Sequence, residues 1–242
     1  MKWGINEEKD YRVNYGVNDP ARLIWRLPCG RKCIASKNDG TVQTASMIDS
    51  ATAPERFDYP LTLPEGARLE ELEGGVLIRS ADGELIGGFT PAWATDANGK
   101  GVATRYDING SILTQVVEHQ GAGVAYPVVA DPAYSRGMIH AVIWERWARG
   151  GWEVRLQVTP LSRWTQLINV KLVAIEGLKD LRQHHPRSMA SATMAQQWEC
   201  HVVRLPGTIN IDLESYRRSL PDWRSRILPS LIKRNPAAAC NW

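Results

Sequence analysis

Residues 138–158, MIHAVIWERWARGGWEVRLQV, decide how the second half of this chain folds. Trp152, Val154, Leu156 and Val158 alternate with Glu153, Arg155 and Gln157, the period-two pattern of a strand with one buried face. The run before them is ambiguous. Ile139, Ala141 and Ile143 fit a strand, while Ile139, Val142, Ile143 and Trp147 fit a helical stripe. The patterned partner run and the Gly150-Gly151 pair favour a hairpin, since glycine reaches the positive φ that tight turns require. A helix followed by a strand is the alternative.

Downstream, Thr159-Pro160 breaks the strand, and Trp164, Ile168, Leu172, Ile175, Leu178 and Leu181 follow at spacings of three and four. That stripe predicts one main helix over 163–184, weakened by Asn169-Val170 and Gly177, stopped by Pro186, and packed on the hairpin's buried face. Residues 186–195 read as a loop. The last forty residues, with Pro206, Pro221, Pro229 and Pro236, read as irregular, because proline disrupts regular structure. A Cys200–Cys240 bridge would close a loop of about 41 residues and contribute about 4 kcal/mol on a chain-entropy estimate.

Upstream, residues 1–19 read as a loosely held arm and ARLIWRL at 21–27 as a strand ended by Pro28. From 39 to 130 short strands alternate with the turn dipeptides Asp39-Gly40, Asp82-Gly83, Asn98-Gly99 and Asn109-Gly110, which predicts an antiparallel meander, a small sandwich or a curled sheet. Tyr126–Pro132 reads as an extended connector because of its two prolines. The expected fold class is therefore α+β. An N-terminal antiparallel β-rich domain at 20–134 is followed by a small α+β domain at 135–242, built from the hairpin, one main helix and a disulfide-tied tail.

The composition is that of an ordinary globular chain, and no run of 18 apolar residues marks a membrane span. The start, MKWGINEEKDYRVNYG, lacks the apolar stretch of a secretory signal. The expectation is a cytoplasmic protein if this start is genuine, or a secreted or cell-envelope protein in mature form. The four cysteines favour the second: Cys29 and Cys33 early, Cys200 and Cys240 late, with pairing inside each half the simplest of three connectivities. Cys29-Gly-Arg-Lys-Cys33 lacks metal-site spacing and a completing ligand set, so a small disulfide loop is preferred over free thiols, and no metal or cofactor is expected.

Charge divides the chain. Residues 137–242 hold 15 Lys or Arg and 8 Asp or Glu, net +7, leaving 14 and 18 before them, net −4. Either the acidic and basic halves attract each other within the molecule, or the basic half meets an anionic partner.

Three stretches resemble a known family: Tyr59–Gly66 with Asp96–Lys100; Tyr126–Pro132; and Cys200-His201, Ile211–Glu214, Arg217 and Cys240-Asn241. The chain resembles, over residues 50–242, secreted actinobacterial proteins that end in an uncharacterised domain of unknown function. That family's tail pattern is Cys-His, Trp-Asn-Leu-Glu-x-Trp-Arg-Pro, then Cys-Asn-Pro. This chain carries Ile211, Asp212, Tyr216, Arg218 and Trp242 at five of those places. The resemblance implies export, a tail disulfide and a β-rich front, and brings no activity with it.

Candidate chemistry is sparse. His201, beside Cys200, with Asp212 or Glu214 would make a fixed imidazole and carboxylate able to act in general-base catalysis. A structural histidine is the plainer alternative. His184-His185 close the helix, and no HExxH, Walker or GxSxG motif occurs. Seven of the ten tryptophans follow residue 137, interleaved with arginines. Arg146, Trp147, Arg149 and Arg155 are therefore the candidate ligand-binding set, since exposed indoles stack on sugars or bases. Three readings follow: a non-enzymatic envelope module binding an anionic or glycan polymer; a secreted hydrolase or toxin using His201; and, ranked last, a nucleic-acid binder, for which +7 over a hundred residues is modest.

Overall fold

The computed structural model describes residues 11–12, 24–25, 32–38, 40–226 and 240. Most of the expected arm, Cys29, the side chain of Cys33 and Trp242 lie outside these residues, and the expected Cys29–Cys33 bridge lies outside with them. The fold is α+β and rich in strands, and the chain divides into two compact units. One comprises Met1–Lys37 with Val42–Tyr134, the other Asn38–Thr41 with Ser135–Trp242.

In the first unit, β1 (Tyr11–Arg12) pairs with β2 (Ile24–Trp25). A larger sheet runs β6 (Arg68–Leu72), β7 (Gly75–Arg79), β8 (Leu85–Phe89), β13 (Ala133–Arg136), β4 (Thr41–Ile48), β12 (Val128–Asp131) and β9 (Trp93–Thr95), with β3 (Lys32–Ser36) also paired to β4. A second sheet runs β10 (Thr104–Asn109), β11 (Ile112–Val117), β5 (Arg56–Pro60). The strands on either side of Asp82-Gly83 and of Asn109-Gly110 pair antiparallel, as those turn dipeptides require. Tyr59, Leu113 and Tyr106 from the smaller sheet pack with Val42, Val76, Ile78, Phe89 and Tyr134 from the larger, so the apolar faces of the two sheets close on each other. The expected connector at Tyr126–Pro132 is corrected by β12, which lies between β4 and β9. Its prolines flank the paired residues, and Val128–Asp131 keep every N–H that the ladder uses.

In the second unit the ambiguous run is a strand. β14 (Ile139–Ala148) and β15 (Gly151–Val158) form the hairpin, and β16 (Asn210–Glu214) pairs along the other side of β15. Its turn is Arg149-Gly150, both at positive φ (52° and 77°), the combination a two-residue hairpin turn needs. Gly151 instead opens β15, and a Cβ there would meet the Ser215 hydroxyl oxygen at 2.7 Å and the Tyr216 nitrogen at 2.8 Å. The register shifts once between Ile139 and Ala141 and again between Val142 and Trp144. Each bulge adds a residue to the usual spacing of two. Ile139, Val142 and Glu145 therefore share the face of Val158, Leu156 and Val154 at intervals of three, which is why this strand carried a helix-like period.

The expected single main helix is corrected to three α-helices among the described residues. Thr159 caps α1 (Pro160–Ile168), its hydroxyl accepting from the Ser162 N–H, with Pro160 in the first turn, where its missing N–H costs nothing. Asn169 ends α1 and caps α2 (Val170–His184), its side chain accepting from the Leu172 N–H at 3.0 Å. One asparagine thus breaks the 163–184 stripe in two. The residues expected as loop and irregular tail contain α3 (Ala192–Arg204) and β16. The buried stripe of α3 alternates apolar Met194, Trp198 and Val202 with polar Thr193, Gln197 and His201, and this masks its period in the sequence. Trp198 is fully buried, donates to the Ala174 carbonyl at 2.9 Å, and fills the space left by Gly177. The Gln197 amide both donates to the Glu214 carbonyl and accepts from the Glu214 N–H, so it pairs with β16 as a strand would. Cys200 and Cys240 form a disulfide packed with Leu220 and Trp223.

Candidate functional site

The register of the C-terminal sheet sorts its side chains onto two faces, because residues paired across strands point the same way. Val154, Leu156, Ile211 and Leu213 are buried on the inner face. On the outer face one row is Trp144, Arg155 and Asp212, and the next is Arg146, Glu153 and Glu214.

These rows form a continuous polar and aromatic lattice. Arg155 donates from Nε and Nη2 to the two oxygens of Asp212, each at 2.7 Å, a bidentate pairing that fixes the guanidinium plane. Arg146 donates to Glu153 at 2.8 Å, Tyr216 Oη donates to the same carboxylate at 3.2 Å, and Arg149 stands 3.9 Å from it. Glu214 is held by Arg217. The Arg146 and Arg155 guanidiniums lie 4.7 and 5.6 Å from the Trp144 ring centre, and those of Arg149 and Arg217 lie 5.9 and 6.0 Å from that of Tyr216. All four contacts are within cation–π range. The hydrogen bond from Arg146 holds the Glu153 carboxyl below its usual range, and the hydrogen bond to Asp212 raises the Arg155 guanidinium. Both shifts favour the charged forms of Glu153 and Arg155.

The predicted ligand set is divided by this geometry. Arg146 and Arg155 are on the outer face, and Arg149, in the turn, leans toward Tyr216 on that side. Trp147, 63% exposed, pairs with Trp152 on the opposite face and meets its ring edge-on at 5.5 Å. Adjacent strand residues diverge, so Trp144 takes the place expected of Trp147 beside Arg146. Trp144 and Arg146, two residues apart in the regular part of β14, share a face once this run is a strand.

The predicted catalytic set is dispersed too. His201 is 5% exposed in the last turn of α3, while Asp212 and Glu214 are bound by arginines on the outer sheet face. His185 Nδ1 pairs with Glu145 at 2.8 Å and His184 Nδ1 with Asp180 at 2.9 Å, so neighbouring imidazoles serve separate carboxylates. Among the described residues no three His, Cys, Asp or Glu side chains gather as a metal site would need. In the first unit, Asp96 accepts from the N–H groups of Asn98 and Lys100 at 2.9 Å and of Ala125 at 3.2 Å, bonds that organise a turn and hold its carboxyl low.

One buried acid gave no signal in the sequence. Asp131, 1% exposed on β12, acts electrostatically on Tyr59 and Tyr106, and Tyr59 is hydrogen-bonded to Ser46 at 2.9 Å. Burial pushes the Asp131 carboxyl up to about 6, against the pull of the Gln43 side chain and the Lys37 charge. An acid whose pKa rises on folding binds its proton more tightly when folded, so the first unit loses stability as pH climbs from about 4 through 6. The full shift corresponds to about 3 kcal/mol, and residual water access reduces it to about 2 kcal/mol. Asp131→Asn is expected to gain that amount over the wild type at pH 7.5 and nothing at pH 4, read by urea denaturation at both. A difference independent of pH would remove the assignment.

No family model, curated protein or solved structure matches the chain.

Proposed function

We propose that the C-terminal unit is a non-enzymatic glycan-binding module of an exported protein, working at the cell envelope through the outer face of its sheet. The observation that carries this reading is the compensated lattice of Trp144 and Tyr216 with four arginines, each arginine placed against a carboxylate. A polyanion would meet Glu153, Asp212 and Glu214 together with the cations, which weakens the attraction that the net charge promises. A sugar polymer offers apolar ring faces to stack on aromatic rings, hydroxyl donors for the carboxylates and hydroxyl acceptors for the guanidiniums. Because the arginines are already oriented by their partners, little side-chain freedom is lost on binding.

Export is supported by the Cys200–Cys240 disulfide, which persists in oxidising compartments, and by the resemblance to secreted actinobacterial proteins. Pull-down on insoluble cell-wall glycan and on a neutral polysaccharide tests the reading. Retention is expected at low and high salt alike, with Trp144→Ala and Arg155→Ala each weakening it about tenfold, the loss of one stacking or bidentate contact. Trp147→Ala, on the other face, is expected to bind as the wild type does. Absence of retention, or retention that salt abolishes and Trp144→Ala leaves intact, would overturn it.

A further inference from the structure

The helical side of the C-terminal unit exposes apolar residues that its own core does not use. On α1, Leu161, Ser162 and Thr165 are buried, while Leu167 is 71% and Ile168 42% exposed. Across Asn169, Val170 is 37% and Ile175 43% exposed. Lone exposed aliphatics are ordinary. These four fall within nine positions, at the corner where α1 turns into α2.

The charges around that corner are cationic. Lys171, Ile175, Leu178 and Arg182 follow one another at helical spacings of four, three and four on α2, so they share a stripe, and Lys171, Ile175 and Arg182 on it are exposed. Lys179 also projects outward. The acids on this helix are withdrawn or engaged: the Glu176 side chain is only 10% exposed and lies 3.6 Å from Lys179, and Asp180 is bound by His184.

We infer that this corner docks the unit peripherally on an anionic lipid bilayer, with Leu167, Ile168, Val170 and Ile175 entering the headgroup boundary and Lys171, Lys179 and Arg182 meeting lipid phosphates. Charge complementarity and residue type both point to lipid. Aliphatic side chains flanked by lysines are the composition of an interfacial helix, whereas protein interfaces are depleted in lysine and enriched in aromatic residues. The inference is independent of the glycan reading, which concerns the sheet. No described helix is long and apolar enough to cross a membrane, so the contact is to one leaflet surface.

Co-sedimentation of the full chain with vesicles tests it. Binding is expected to vesicles of equal parts phosphatidylglycerol and phosphatidylcholine, and to be at least about tenfold weaker to phosphatidylcholine alone. Leu167→Asp and Lys171→Glu are each expected to lower anionic-vesicle binding about tenfold. Both residues are exposed, so an unchanged urea midpoint shows that the variants are folded. The inference is overturned if anionic vesicles fail to bind the protein, or if Leu167→Asp binds as the wild type does. It is also overturned if sedimentation shows a concentration-dependent dimer that Leu167→Asp dissolves, which would assign the corner to a second copy of the chain.

Discussion

Trp198→Ala is expected to destabilise the C-terminal unit by about 3–5 kcal/mol, the range for removing a large buried aromatic side chain. The loss has two parts: the cavity left against α2, and the hydrogen bond from the indole N–H to the Ala174 carbonyl. Since small folded units are stable by only about 5–15 kcal/mol, the variant would approach unfolding at ambient temperature. Gly177→Ala isolates the cause. On helix propensity alone that change stabilises by about 1 kcal/mol. Here the added Cβ would stand 2.3 Å from Trp198 Cζ2, with the ring edge already seated in the gap, so the sign reverses. The double variant should cost less than the two single ones together, because removing the ring vacates the space the methyl group needs. Urea unfolding of the four proteins reads all three values. An increase in stability from Gly177→Ala would show that the ring does not occupy that place.

Cys240→Ser is expected to cost about 4 kcal/mol, the chain-entropy value for opening a loop of about 41 residues. The bond also positions a small buried cluster, Cys200 with Leu220, Trp223 and Cys240, so opening it loosens the packing behind α3. The comparison is made by urea unfolding of wild type and variant without reductant, and again with reductant. The two proteins should converge under reduction, and a variant as stable as the oxidised wild type would remove the argument.

How much of this could be read in advance depended on whether the signal was local. The alternation of Trp152, Val154, Leu156 and Val158 and the turn dipeptides at 82–83 and 109–110 act over a few residues, and the strands they predict are present and paired as expected. The Cys200–Cys240 bridge, expected from the pairing of cysteines within each half and from the family resemblance, is also present. The failures have physical causes of longer reach. α3 was hidden because Thr193, Gln197 and His201 are buried polar residues, of which Thr193 donates to the Arg218 carbonyl and Gln197 to the backbone of Glu214, both distant in sequence. The strand β12 was hidden by prolines that border it. The outer face of the C-terminal sheet could not be assembled from Arg146 and Trp147 as neighbours, since adjacent residues of a strand point to opposite sides. Asp131 was illegible because a charged residue inside a sandwich has no pattern of its own. Only the fold around it makes it unusual.

The Gln197 side chain has a consequence for solubility. By occupying the donor and acceptor of Glu214 on β16, it closes at that point a margin to which a foreign strand could add. The opposite margin, β14, is interrupted by its two bulges, which spoil the straight row of backbone groups that strand addition needs. A three-stranded sheet with both margins blunted in this way resists being extended into a polymer, however concentrated the protein becomes.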